Sequence, residues 1–88
     1  MAEARVRIVN AQGLHARPIS SFVQVCSRFE ASVEVVGPGG VADGSSVLSM
    51  MGLAAARDSE LHIRARGSDA ESAVAALVEL VARGFGEA

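Results

Sequence analysis

His15 is one of two histidines among 88 residues, and it stands in the stretch GLHARP, residues 13–18, with an arginine two positions on and an amphipathic pattern starting just after it. A protonated imidazole suits a helix N-terminus poorly, because the dipole there favours anions and Ser, Thr, Asp or Asn make better caps. An imidazole that carries an anion is a different matter. Unpaired backbone N–H groups and a partial positive charge make a helix N-terminus an anion site. A phosphoryl group on the His15 ring would meet the N–H groups of Ala16 and Arg17 and the Arg17 guanidinium. A neutral imidazole at that position is nucleophilic. Gly13 permits a sharp backbone bend and leaves room for a partner's phosphoryl group to approach. The chemistry these residues can do together is phosphoryl transfer through a histidine. The structural alternative is an ordinary cap or surface histidine beside an ordinary exposed arginine.

The elements that must position this group are legible from periodicity. Residues 2–10, AEARVRIVN, alternate, with Ala4, Val6 and Ile8 on one face and Arg5 and Arg7 on the other, as in a strand covered on one side. Ile19, Phe22, Val23 and Cys26 fall at helical spacing, so residues 16–28 read as an amphipathic helix with Pro18 tolerated in its first turn and His15 at the cap. ASVEVV (31–36) is a second strand, and GPGG (37–40) turns the chain into a short third strand near Val41. Ser46 caps a short helix carrying Val47, Leu48, Met50, Met51 and Leu53, an apolar content too dense for one buried face. In ELHIRAR (60–66), Leu61, Ile63 and Ala65 point inward while His62, Arg64 and Arg66 point to solvent. Ser68 and Glu71 have the spacing of a capping box that opens a long helix. Val74, Leu77, Val78 and Val81 form that helix's apolar stripe, and Gly84 ends it. The order β-α-β-β-α-β-α predicts an α+β open-faced sandwich: a four-stranded antiparallel sheet with three helices on one face.

Composition narrows the function classes. A single domain spanning 1–88 is expected at this length, with 50% hydrophobic residues to build one modest core. Net charge is −2, and all eight basic residues are Arg, so no basic field speaks for nucleic acid. Cys26 is the single cysteine, which excludes an internal disulfide and a cysteine-rich zinc site; its apolar neighbours place it in the core. One Cys and two distant His do not make a metal-binding domain either. No signal-like region and no apolar run near the ~20 residues of a membrane span is found, so a cytoplasmic protein is expected. A pure interaction module, in which His15 never carries phosphate, stays open on the residues alone.

GLHARP between a strand and an amphipathic helix resembles the active-site motif of the HPr family, the histidine-containing phosphocarriers of the bacterial phosphotransferase system. The resemblance extends to the helix-one spacing, to SSVLSMMGL (45–53) and to the G-S-D-A-E opening of the last helix. It implies that His15 takes a phosphoryl group from enzyme I, itself phosphorylated from phosphoenolpyruvate, and passes it to an EIIA protein or domain, with Arg17 assisting and no cofactor. It implies a docking surface at Val47, Leu48 and Met51, regulatory phosphorylation of Ser46 by a dedicated kinase, reversible by a phosphorylase, and a monomer. Ser46 is also fully accounted for as a cap. Enteric sugar-system members often carry lysines where this chain has Gln24, Ser27, Ser45 and Ser49, so its docking face is less basic. The ending ARGFGEA resembles the nitrogen-related NPr branch, whose members would act mainly by binding partners.

Overall fold

A computed structural model of the chain describes residues 1–87. Its elements run β1 (Ala2–Arg7), α1 (Ala16–Cys26), β2 (Ser32–Gly37), β3 (Gly40–Asp43), α2 (Val47–Met51), β4 (Glu60–Arg66) and α3 (Ala70–Ala82), followed by a 3₁₀ turn at Gly84–Gly86. The strands lie in the order β1-β4-β2-β3, antiparallel throughout. The α+β architecture is the one periodicity predicts, because alternation sorts each strand into an inner and an outer row. Leu61, Ile63 and Ala65 of β4 and Val33 and Val35 of β2 are buried on the inner row. They pack with Ile19, Phe22, Met50, Leu77 and Val81 of the helices. On the outer row Arg5 pairs with Glu60 at 3.7 Å, His62 Nε2 lies 2.6 Å from Glu3, and Arg64 pairs with Glu34. Exposed pairs of this kind add little stability, about 0–1 kcal/mol each. They keep the open face polar and in register.

Boundaries depart from expectation where tertiary contacts decide. Strand β1 stops at Arg7, after which the Ile8 N–H donates to Ser59 O and Ile8 O accepts from the Asp58 N–H, so residues 8–10 leave the sheet. Helix α1 ends at Cys26 rather than 28, with Arg28 and Phe29 turning back onto Val25 O and Cys26 O. Cys26 is buried, and burial, with the Asp43 charge adding to it, pushes its thiol up to about 11. It is a protonated core residue at neutral pH.

The expected capping box at Ser68 and Glu71 does not form. Asp69 is the N-cap of α3 and makes no cap bond. Its carboxylate instead accepts the N–H groups of Glu30 and Ala31, both at 2.9 Å, and so ties the entrance of β2 to the entrance of α3. Two charge-assisted bonds across the fold outweigh a local reciprocal cap. At the other end, Gly84 at φ +67 ends α3 as expected. Leu80 joins the buried stripe while Val78 is only half-buried. Among the described residues no helix is long and apolar enough to cross a membrane.

Candidate functional site

The loop from β1 into α1 is built around Gly13. Its φ is +67, and a Cβ there would come within 2.7 Å of Ala55 O and 2.9 Å of Ala56 Cα. The Gly13 N–H donates to Asn10 O and the Leu14 N–H to Ala55 O, which closes the turn and fixes it against residues 55–56. Glycine therefore serves the bend, as expected. The room expected for a partner's phosphoryl group is not there, because the Ala55–Ala56 backbone fills it.

The turn delivers His15 to the N-cap of α1 with an extended backbone, φ −114 and ψ −172. Its C=O accepts the first helical bond, from the Ile19 N–H. Its ring makes no cap bond. Pro18 has no N–H, so the unpaired donors of the first turn come down to those of Ala16 and Arg17, both on exposed residues. Arg17 forms no ion pair among the described residues. The helix end thus offers two N–H donors and an exposed guanidinium, with no partner among the described residues.

The ring is engaged from the other side. Nε2 of His15 lies 3.3 Å from Oε1 and 3.2 Å from Oε2 of Glu87, with the His15 side chain 35% exposed and Glu87 21% exposed. Asn10 Nδ2 donates both to Gly13 O at 2.8 Å and to Glu87 Oε1 at 3.0 Å. Asn10 is buried, and its Oδ1 meets no donor among the described residues. An unmet polar atom of this kind costs about 1–3 kcal/mol. The residue is explained by what Nδ2 holds. Neither Asn10 nor Glu87 emerges from the sequence as a site residue. Glu87 is 72 positions from His15, and no local spacing links them. Their cleft is completed by Phe85, at φ +59 in the turn that follows Gly84. A larger depression, bordered by Ser27, Ser32, Arg64 and Arg66, shares no residue with it.

Helix α2 presents the second group of expected residues. Ser46 is its N-cap, and Ser46 Oγ accepts the Ser49 N–H at 3.1 Å. Ser49 Oγ in turn accepts the Asp43 N–H, and the Asp43 carboxylate accepts both the N–H and the O–H of Ser45. Those two bonds hold the Asp43 carboxyl below the usual carboxylate range. The surplus apolar content divides as expected: Met50 and Leu53 are buried, while Val47, Leu48 and Met51 are 39%, 82% and 52% exposed. Helix α2 packs against α1, which places this apolar face beside the helix that carries His15.

Comparison with known proteins agrees with this arrangement. The family model described as the PTS HPr component phosphorylation site matches residues 2–83. The phosphocarrier protein HPr of Pseudomonas aeruginosa is 38% identical over 88 residues, covering 99% of this chain and 98% of that protein. A multiphosphoryl transfer protein of Vibrio cholerae is 36% identical over 96% of this chain, which corresponds to 22% of its own length. Among solved structures, HPr-C-His of Thermoanaerobacter tengcongensis superposes with a TM-score of 0.94 at 35% identity, covering 100% of this chain and 99% of that one. HPr of Bacillus anthracis gives 0.85 at 36% identity, over 91% and 95%. With both the fold and nearly the whole length matched, the chain belongs to the HPr family of phosphocarrier proteins.

Proposed function

We propose that His15 accepts a phosphoryl group from phosphorylated enzyme I, whose own donor is phosphoenolpyruvate, and passes it to an EIIA protein or domain. The observation that carries this reading is the state of the α1 N-terminus: an imidazole at the cap that makes no cap bond, above two unpaired N–H groups and a free arginine. An ionised carboxylate only accepts hydrogen bonds. With the ring proton on Nε2, facing Glu87, the lone pair is left on Nδ1, which is the attacking atom. The phosphoryl oxygens then take hydrogen bonds from the N–H groups of Ala16 and Arg17, and the Arg17 guanidinium meets the charge that builds up during transfer.

Val47, Leu48 and Met51 form the apolar docking face for both partners, since three exposed or partly exposed apolar side chains are gathered on one short helix. Phosphorylation of Ser46 adds negative charge beside that face and weakens docking to acidic partners. The protein works as a single domain and a monomer in the cytoplasm, where its two partners are met in turn. Incubation with enzyme I and phosphoenolpyruvate, followed by intact mass at alkaline pH, tests the proposal. One acid-labile phosphate is expected on the wild-type chain, and a chain that gains none is a binding module instead.

A further inference from the structure

We propose that Glu87, held in place by Asn10, is a positioning residue for the His15 imidazole: it keeps a proton on Nε2 and balances the positive charge of the ring while Nδ1 carries the phosphoryl group. This rests on the phosphocarrier reading above and adds to it two residues that lie outside the GLHARP motif. Glu87 also lies outside residues 2–83, the stretch matched by the family model.

The polarity of the contacts is determined step by step. Gly13 O can only accept, so the Asn10 atom 2.8 Å away is its Nδ2, and the amide cannot be turned the other way. The same Nδ2 donates to Glu87 Oε1 at 3.0 Å. Glu87, thereby oriented, accepts from His15 Nε2 through Oε1 at 3.3 Å, with Oε2 3.2 Å from the same nitrogen. The chain Gly13 O, Asn10 Nδ2, Glu87 carboxylate, His15 Nε2–H has one consistent direction, anchored on backbone at its start. A carboxylate or carbonyl beyond one ring nitrogen is the usual device for selecting which nitrogen of a histidine is free to react.

The step then needs no proton transfer. The Nδ1 lone pair attacks phosphorus, and the bond from phosphorus to the donor breaks with its electron pair left on the donor. The ring, still protonated at Nε2, now carries a positive charge facing the Glu87 carboxylate. In the onward step the Nδ1–P bond breaks, its electron pair returns to Nδ1, and the neutral Nε2–H imidazole is restored. Loss of the Nε2 proton at the intermediate stage would make the ring a poorer leaving group, and the Glu87 contact opposes that loss. Among the described residues, the charged groups that line the cleft with the ring are Glu87, from the turn after α3, and Arg17, from α1: the carboxylate serves the ring, the guanidinium the phosphoryl group.

Long-range ¹H–¹⁵N spectra of the His15 ring, recorded where the ring is neutral, test the tautomer, and transfer rates from phosphorylated enzyme I test its consequence. In the wild type, Nε2 is expected to give the protonated type of signal and Nδ1 the lone-pair type. In Glu87→Ala and Asn10→Ala both signals should move toward those of free histidine, and transfer should slow about three- to tenfold, as loss of a half-exposed charged hydrogen bond implies. Glu87→Gln, isosteric and able to accept through its amide oxygen, should keep the tautomer yet still slow transfer, because the charge is gone. Unchanged ring signals and unchanged rates in Glu87→Ala and Glu87→Gln overturn the proposal. A wild-type chain that gains no phosphate overturns the phosphocarrier reading instead, and the ring spectra still decide the part played by Glu87.

Discussion

Helices α1 and α2 begin in opposite ways. Ser46 caps α2 with its own hydroxyl and sits in a closed set of bonds that runs through Ser49, Asp43 and Ser45. His15 occupies the same position on α1 and caps nothing, while its ring is drawn aside by Glu87. A helix start capped by its own side chain is a structural joint. One whose cap side chain makes no such bond leaves that side chain free to carry an anion that comes and goes. In this molecule the two kinds of start lie on packed neighbouring helices.

Removing the reactive group should give the largest effect with the least damage. His15→Ala is expected to abolish phosphoryl uptake, read as a missing mass increment after incubation with enzyme I and phosphoenolpyruvate. Its melting temperature should change little, because the ring contributes no cap bond and its contact with Glu87 is partly exposed. A fully phosphorylated His15→Ala chain would remove the α1 start from the chemistry altogether. Arg17→Ala comes next. In the proposed reaction its guanidinium meets the transferred group, so transfer should slow on the order of tenfold to a hundredfold while enzyme I binding changes far less. Single-turnover rates set beside calorimetric affinities separate the two, and equal transfer rates would leave Arg17 a surface residue.

What the sequence displays and what it hides follows from how far apart the interacting groups are. Strand alternation and the Ile19–Phe22–Cys26 stripe are local patterns, and they report the sheet and α1 directly because each residue's face depends only on its own element. Gly84 is legible for the same reason. Ser68 and Glu71 mislead, since the spacing of a capping box says nothing of Asp69, whose carboxylate is taken by backbone donors 38 and 39 positions away. His15 and Arg17 are visible as a motif. The groups that orient the ring are not, because Glu87 reaches His15 only once α3 and the turn after it have packed against the loop at Asn10 and Gly13. The residual error at Gly13 has the same origin: the bend is local, but the space beside it belongs to Ala55 and Ala56.

The α2 start offers the structural half of the comparison. Ser46→Ala removes the acceptor of the Ser49 N–H and should cost about 1 kcal/mol of stability in denaturant unfolding. Ser46→Asp keeps a competent cap and adds charge beside Val47, Leu48 and Met51, so the fold should hold while affinity for enzyme I falls. Because exposed charges are screened beyond about 8 to 10 Å near physiological ionic strength, that fall should shrink in calorimetry at high salt. A loss that ignores salt would trace to altered packing of α2 rather than to charge.

The smallest expected effect is confined to the same joint and comes from acid. The Ser45 N–H and O–H hydrogen-bond the Asp43 carboxylate and lower its pKa from the ordinary 3.8. With the folded value depressed, the contribution of these bonds is fully present above the unfolded value and is lost as pH falls through the folded one. Asp43 is almost fully solvent-exposed, so the change in global stability is slight. The local change is readable: the Ser45 amide resonance should titrate with a midpoint below 3.8, carrying that of Ser46 with it, since the Ser46 N–H donates to Asp43 O. Asp43→Asn should abolish that titration and leave the amides of Ala16 and Arg17 as they were, because nothing at the α1 start leans on the Asp43 network. A Ser45 midpoint at or above 3.8 would mean that the network is not closed in solution. The contrast between a capped and an uncapped helix start would then rest on the Ser46–Ser49 bond alone.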